Sequence, residues 1–250
     1  ALADGRDGER KQALAARRSA AFGKEGDCLR YFSEAVAYAR NCCDLMICTG
    51  DLIDFVSAKN LDTAKEMLSG TDYFFAAGNH EFSKYVGEAV EDEAYKLDSL
   101  PLVQRYIGND LRFASRLVGG VNLVAVDNSY YLFRPEELEA IRERMAEAGI
   151  QNLSAYVRKM ALNGYVLHVD LYLVGTPEEL LEPYPEERRS QQRADGPTLA
   201  FIDYLKQQTL VKAVLTGHLH FNFDSVLYGD VVQYTAGGNF RGDVREYEIV

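Results

Sequence analysis

The chain has 250 residues, 47% of them apolar, enough for one large α/β core or two small ones. Its net charge of −11, from 27 basic against 38 acidic residues, repels a phosphate backbone and speaks against extended nucleic acid as a partner. No apolar run approaches the roughly 18 residues of a membrane-spanning helix, so no membrane span is expected.

Helical and extended patterns alternate along the chain. Residues 11–22 and 28–40 read as helices. Residues 44–49 form a compact apolar run that stops at Gly50, which suits a buried strand. Residues 61–68 are helical, 73–77 are a second buried run ending at Gly78, and 83–97 read as a helix with an acidic face at 88–93. Two strands at 111–117 and 121–126 flank Gly119-Gly120 as a hairpin, and Asp127-Asn128-Ser129 closes the second strand, as a turn or as a border of the site. Pro135 opens a helix whose Leu138, Ile141 and Met145 share a face, and 165–167 is a third buried run.

Thr176-Pro-Glu-Glu179 is a capping box, and 182–196 reads as a polar surface loop. Residues 198–207 are helical, 211–215 form a fourth buried run, and 221–250 alternate like several antiparallel strands. Gly237-Gly238-Asn239-Phe240-Arg241 reads as a hairpin turn, with a phosphate cradle as the other option. No repeat or linker divides the chain, so a single domain over 1–250 is expected. Cys28, Cys42, Cys43 and Cys48 lack zinc-ribbon spacing; Cys48 is expected to be buried and Cys42 and Cys43 to be free thiols at a helix end, all as plain structural cysteines of a reducing compartment, which suggests the cytoplasm.

The chain holds only four histidines, His80, His168, His218 and His220, each at or just past the end of a predicted buried run. In open α/β sheets, ligands gather at that edge. Gly50-Asp51-Leu-Ile-Asp54 leaves the first run and Gly78-Asn79-His80-Glu81 the second. His168 ends the third, and Gly217-His218-Leu219-His220 leaves the fourth. Imidazoles, carboxylates and an amide oxygen make a mixed N/O donor set that suits Mn, Fe or Zn rather than Mg alone. Groups spread from residue 51 to residue 220 can meet only if a parallel sheet brings the strand ends together. Gly-Asp-x-x-Asp alone is weak and Gly-His-x-His is moderately specific; the ordered set that uses every histidine carries the argument.

That set resembles the calcineurin-like metallophosphoesterase superfamily. The resemblance implies a four-layer α-β-β-α sandwich with a dinuclear centre of two divalent metal ions. It implies that Asp51 bridges the metals, that Asn79, His168 and His218 complete one metal's shell, and that His220 binds the other. His80 would face the scissile phosphate and protonate the leaving oxygen, while a hydroxide held by the metals attacks phosphorus.

The family's opening Asp-x-His has no clean counterpart. The nearest match is Asp4-Gly5-Arg6, so either the first strand lies upstream of Ala1 or Arg6 has replaced the ligand. Asp170 stands where the family often has Pro and is expected to face solvent. The function read from the sequence is therefore a metal-dependent phosphohydrolase, a phosphatase or phosphodiesterase acting on a small-molecule or protein phosphoester. The alternative is a degenerate relative that holds one metal and serves as a binding module.

Overall fold

In a computed structural model, residues 4–8, 27–84, 92–118, 121–127, 129–130, 165–169, 196–207, 211–218 and 220–248 are described. The predicted helices at 11–22 and after Pro135, the capping box at Thr176, most of the loop at 182–196, and Asp170 lie outside them.

The described elements run α1 (Asp27–Cys42), β1 (Met46–Cys48), α2 (Ala58–Leu68), β2 (Tyr73–Phe75), α3 (Glu93–Gln104), β3 (Phe113–Val118), β4 (Val121–Val126), β5 (Tyr165–Val169), α4 (Gly196–Lys206), β6 (Ala213–Gly217), β7 (Phe223–Tyr228) and β8 (Val231–Thr235), with 3-10 turns at Gly5–Asp7, Asn79–Phe82 and Asn239–Arg241. β1 and β2 pair in parallel, with Ile47 opposite Phe74. The other six strands form one sheet in the order β3-β4-β5-β6-β8-β7. Its inner strands β4, β5, β6 and β8 are parallel, and β3 and β7 are antiparallel at the two edges.

Strand alternation explains how the layers stack. Phe74 and Ala76 point one way and pack with Ala114, Leu123 and Ala125 of the larger sheet. Phe75 and Ala77 point the other way and pack against Leu61 and Ala64 of α2 and Leu100 and Val103 of α3. Helical spacing puts Leu61, Ala64 and Leu68 on one face of α2, and Lys96, Ser99, Leu100 and Val103 on one face of α3. On the far face of the larger sheet, Val124 and Val214 are 1% and 0% exposed, so that face is covered too.

Two contacts fix the relative direction of the sheets. Arg116, at the β3 end that pairs with the start of β4, donates to Asp72 just before β2 at 2.6 Å. At the opposite end Tyr130, beyond β4, donates to the carbonyl of Phe82, beyond β2, at 3.3 Å. The parallel strands of both sheets therefore end on the same side of the molecule.

The structure corrects the sequence reading in three places. The helix expected at 83–97 is α3, Glu93–Gln104, while Ser83 is extended. Asp92 supplies its N-cap by accepting from the Tyr95 amide at 3.0 Å, and the helix continues through Pro101 because Leu100 and Val103 bury their side chains. Among the described residues the tail holds two strands, not several, and β8 lies parallel to β6 as well as antiparallel to β7. Residues 237–241 are not a hairpin turn but a 3-10 turn closed by Gly242 at φ 89°. Gly238 makes that turn possible, since a Cβ there would lie 2.3 Å from the Phe240 ring. No disulfide joins the cysteines; Cys42 ends α1 and Cys43 follows it, as expected, whereas Cys48 is only half-buried, packed against the core under α2 and α3.

Candidate active site

β1 releases the chain into a tight turn in which Gly50 and Asp51 both take left-handed backbone, at φ 98° and 56°. A buried carboxylate organises this turn. Glu81, 1% exposed, accepts from the amides of Asp51 (2.8 Å), Ile53 (3.2 Å) and Gly78 (2.7 Å). It thereby joins the loop after β1 to the turn after β2. Burial and the neighbouring Asp51 charge push its carboxyl above the ordinary range, while the three amide donors pull the other way. Asp51 returns the link, its Oδ1 accepting the His80 amide at 3.1 Å.

Asn79 is buried at the start of the 3-10 turn. His80, next along it, points Nδ1 at the Asp54 carbonyl (2.9 Å) and at Asp54 Oδ1 (3.3 Å). Both are acceptors, so Nδ1 carries its hydrogen and Nε2 is left for other partners. Burial lowers the pKa of the ring, but the Asp51 charge and the bonds to Asp54 outweigh it and hold it at about 9.

The second sheet contributes from the same end. β6 stops at Gly217, and His218 and His220 follow in left-handed backbone at φ 74° and 61°. Among the described residues, Asp51, His218 and His220 are the non-glycine positions with positive φ. Such backbone is disfavoured for residues with a Cβ and collects at functional sites. The His220 ring meets the edge of Phe240 at 5.1 Å between centroids. His168 lies next to the end of β5, where Val169 pairs with Gly217 after a register shift from Val166; its side chain is outside the described set.

The strand ends thus bring the predicted residues to one side of the molecule, with Asp51, Asn79 and His80 from the small sheet and His168, His218 and His220 from the large one. The donor chemistry fits a divalent cation. Among the described residues, however, no three His, Cys, Asp or Glu side chains stand close enough to form a ready cage. At the N-terminal end, Asp4 accepts from Arg6 at 2.6 Å, which holds its carboxyl down at about 2, and Arg6 also bridges to Asp62 on α2 at 2.8 Å.

Sequence reasoning quoted Glu81 and Asp54 within their motifs but gave neither a role. The signal was there for Glu81, a carboxylate between the buried run at 73–77 and Phe82, where only a hydrogen-bonded acid can be accommodated.

The chain has the fold of a dimetal phosphatase from Danio rerio, at a TM-score of 0.53 and 14% identity over 86% of this chain and 79% of that one. A protein assigned as a 5'-nucleotidase from Staphylococcus aureus gives a TM-score of 0.43 at 15% identity, over 84% of this chain and 43% of that one. A 5'-nucleotidase from Candida albicans gives 0.43 at 15%, over 87% and 42%. None of the curated proteins matches the sequence. The family described as NikA-like, mobilization protein NikA, matches residues 132–173, of which only 165–169 are described. No helix among the described residues is long and apolar enough to cross a membrane.

Proposed function

We propose that this protein is a metal-dependent phosphohydrolase. One observation carries the reading: the left-handed positions Asp51, His218 and His220 stand at the ends of β1 and β6, on the side where Asn79 and His80 also emerge. The proposed donors are Asp51 between two divalent ions, Asn79, His168 and His218 on one, and His220 on the other. The covered far face of the larger sheet supports a four-layer α-β-β-α sandwich around them. When bound, the ions would activate water and neutralise phosphoryl oxygens.

The chain's own residues supply the rest. Asp54 fixes the His80 ring with Nδ1–H inward, so Nε2 presents its proton outward to a leaving oxygen. Glu81 holds the Asp51 loop and the His80 turn in one register, so the carboxylate and the acid keep their spacing.

The test is titration of metal-free protein with Mn²⁺ or Co²⁺ together with assays of nitrophenyl phosphate and bis-nitrophenyl phosphate. Two bound ions and turnover of either ester are expected; no turnover with any divalent ion sinks the reading. A second reading, a one-metal relative acting as a binding module, draws on Asp4 and Arg6. Their carboxylate and guanidinium are spent on each other and on Asp62. One ion bound and no turnover would favour it.

A further inference from the structure

Asp127 and Ser129, from the segment that the sequence offers as a turn or as a border of the site, form one half of a buried cross-link. Lys96 of α3 is 6% exposed, and its Nζ lies 2.8 Å from Asp127 Oδ2 and 2.9 Å from Ser129 Oγ. Ser129 in turn donates its hydroxyl and its amide to Asp127 Oδ1, at 2.7 and 3.0 Å. The ammonium also sits over two aromatic rings, 5.2 Å from the centre of Phe82 and 5.0 Å from that of Tyr130. The Tyr130 hydroxyl lies 3.3 Å from the Phe82 carbonyl and 3.2 Å from that of Asp92.

These residues come from three places: α3, the end of β4 in the large sheet, and Phe82, the last residue of the turn that carries Asn79 and His80. A buried ion pair contributes little net stability, because desolvation cancels much of the attraction. Its hydrogen bonds do impose one geometry, and removal of a partner leaves a buried charge. Here that geometry fixes the large sheet to the far end of the His80 turn, while Glu81 fixes the near end to the Asp51 loop. Without the ammonium, Phe82 would keep its apolar contacts and the hydrogen bond from Tyr130 but lose the charged clamp that holds both rings to α3 and Asp127.

We propose that Lys96 is a positioning residue: with Asp127 and Ser129 it locks the Asn79–Phe82 turn and so aims His80. The catalytic consequence rests on the phosphohydrolase reading above; the aiming itself does not. The experiment replaces Lys96→Met and follows two signals. With only four histidines, imidazole NMR resolves the His80 ring in metal-free protein. Its resonances are expected to shift or broaden, while those of His220 stay in place. In the metal-loaded enzyme, kcat is expected to fall about 10–100-fold, the range for loss of an outer-layer partner, and further for phenyl than for nitrophenyl phosphate.

A drop that is equal for both esters, with the His80 signal unmoved, would mean lost folded protein and overturns the proposal. An unmoved His80 signal with full activity overturns it as well. A moved His80 signal in a protein that hydrolyses neither ester, wild type included, upholds the lock and removes the phosphohydrolase reading. Should Lys96→Met not fold, Ser129→Ala removes one partner without leaving a charge and is read by the same two signals.

Discussion

The two halves of the candidate site are held by opposite means. After β1 and β2, position is set by hydrogen bonds: Glu81 gathers three amides, Asp51 accepts a fourth, and Asp54 orients His80. After β6, position is set by backbone conformation, with His218 and His220 in left-handed φ and Phe240 against one ring. The first half has one left-handed residue besides glycine, Asp51, but its bonds tie that turn down and it should keep its shape empty. The second carries a local cost of about 1–2 kcal/mol per residue, of the kind a functional site retains when ligand binding offsets it. A fold can thus keep a site partly rigid and partly strained at the same edge.

The largest effect expected on the hydrogen-bonded half comes from Asp51→Asn. Asn accepts left-handed backbone as readily as Asp, so the turn should survive. On the proposed reading the charge that would serve both ions is lost, and turnover should drop to background with weaker metal binding, checked by kinetics and metal titration. Near wild-type activity and metal content would remove Asp51 from the centre. Next in size is His80→Asn, which should retain metal content and lower kcat by about 10²–10⁴, the range for a lost general acid. The loss should shrink for nitrophenyl esters, whose leaving groups need little protonation; equal losses on good and poor leaving groups would end the acid role.

Glu81→Gln attacks the preorganisation itself. The amide group offers two hydrogens where the carboxylate accepted, so at least one of the three backbone amides faces a donor. Leaving a buried amide unpaired costs about 1–3 kcal/mol, read from denaturant unfolding of metal-free protein. An unchanged midpoint would mean that this half is not held by its hydrogen bonds, and the contrast with β6 would collapse.

Much of the edge was legible because buried runs closed by glycine mark strand ends, and His80, His218 and His220 follow such glycines, whereas His168 follows none and lies within β5. What the sequence did not reveal depended on partners far along the chain. Glu81 shows in the sequence only as an acid among buried residues, and its partners become visible once the loop after β1 brings the Asp51 and Ile53 amides to it. Lys96 looks like a surface lysine on an acidic helix until Asp127 and Ser129 enclose it. The end of α3 was misread because Pro101 signals a stop locally, whereas Leu100 and Val103 reward continuation only once the core exists. Residues 237–241 have the glycines of a hairpin, but Phe240 closing back over Gly238 sets a different turn.

The smallest expected effect sharpens the contrast most directly, because it reverses sign between the halves. His220 sits at φ 61°, where a Cβ is strained and glycine is not. His220→Gly and His220→Ala lose the same ring contact with Phe240, so the difference between them isolates the backbone. In metal-free protein the glycine variant should be more stable than the alanine variant by about 1 kcal/mol. His80 lies in a 3-10 turn with ordinary backbone, and both of its substitutions lose the same bonds to Asp54. There alanine should be the more stable, by about 0.5–1 kcal/mol, because glycine has more freedom to lose. Urea midpoints of the four variants decide the matter. If alanine wins at both positions, the left-handed turn after β6 relaxes without cost, and strain is not what distinguishes the two halves.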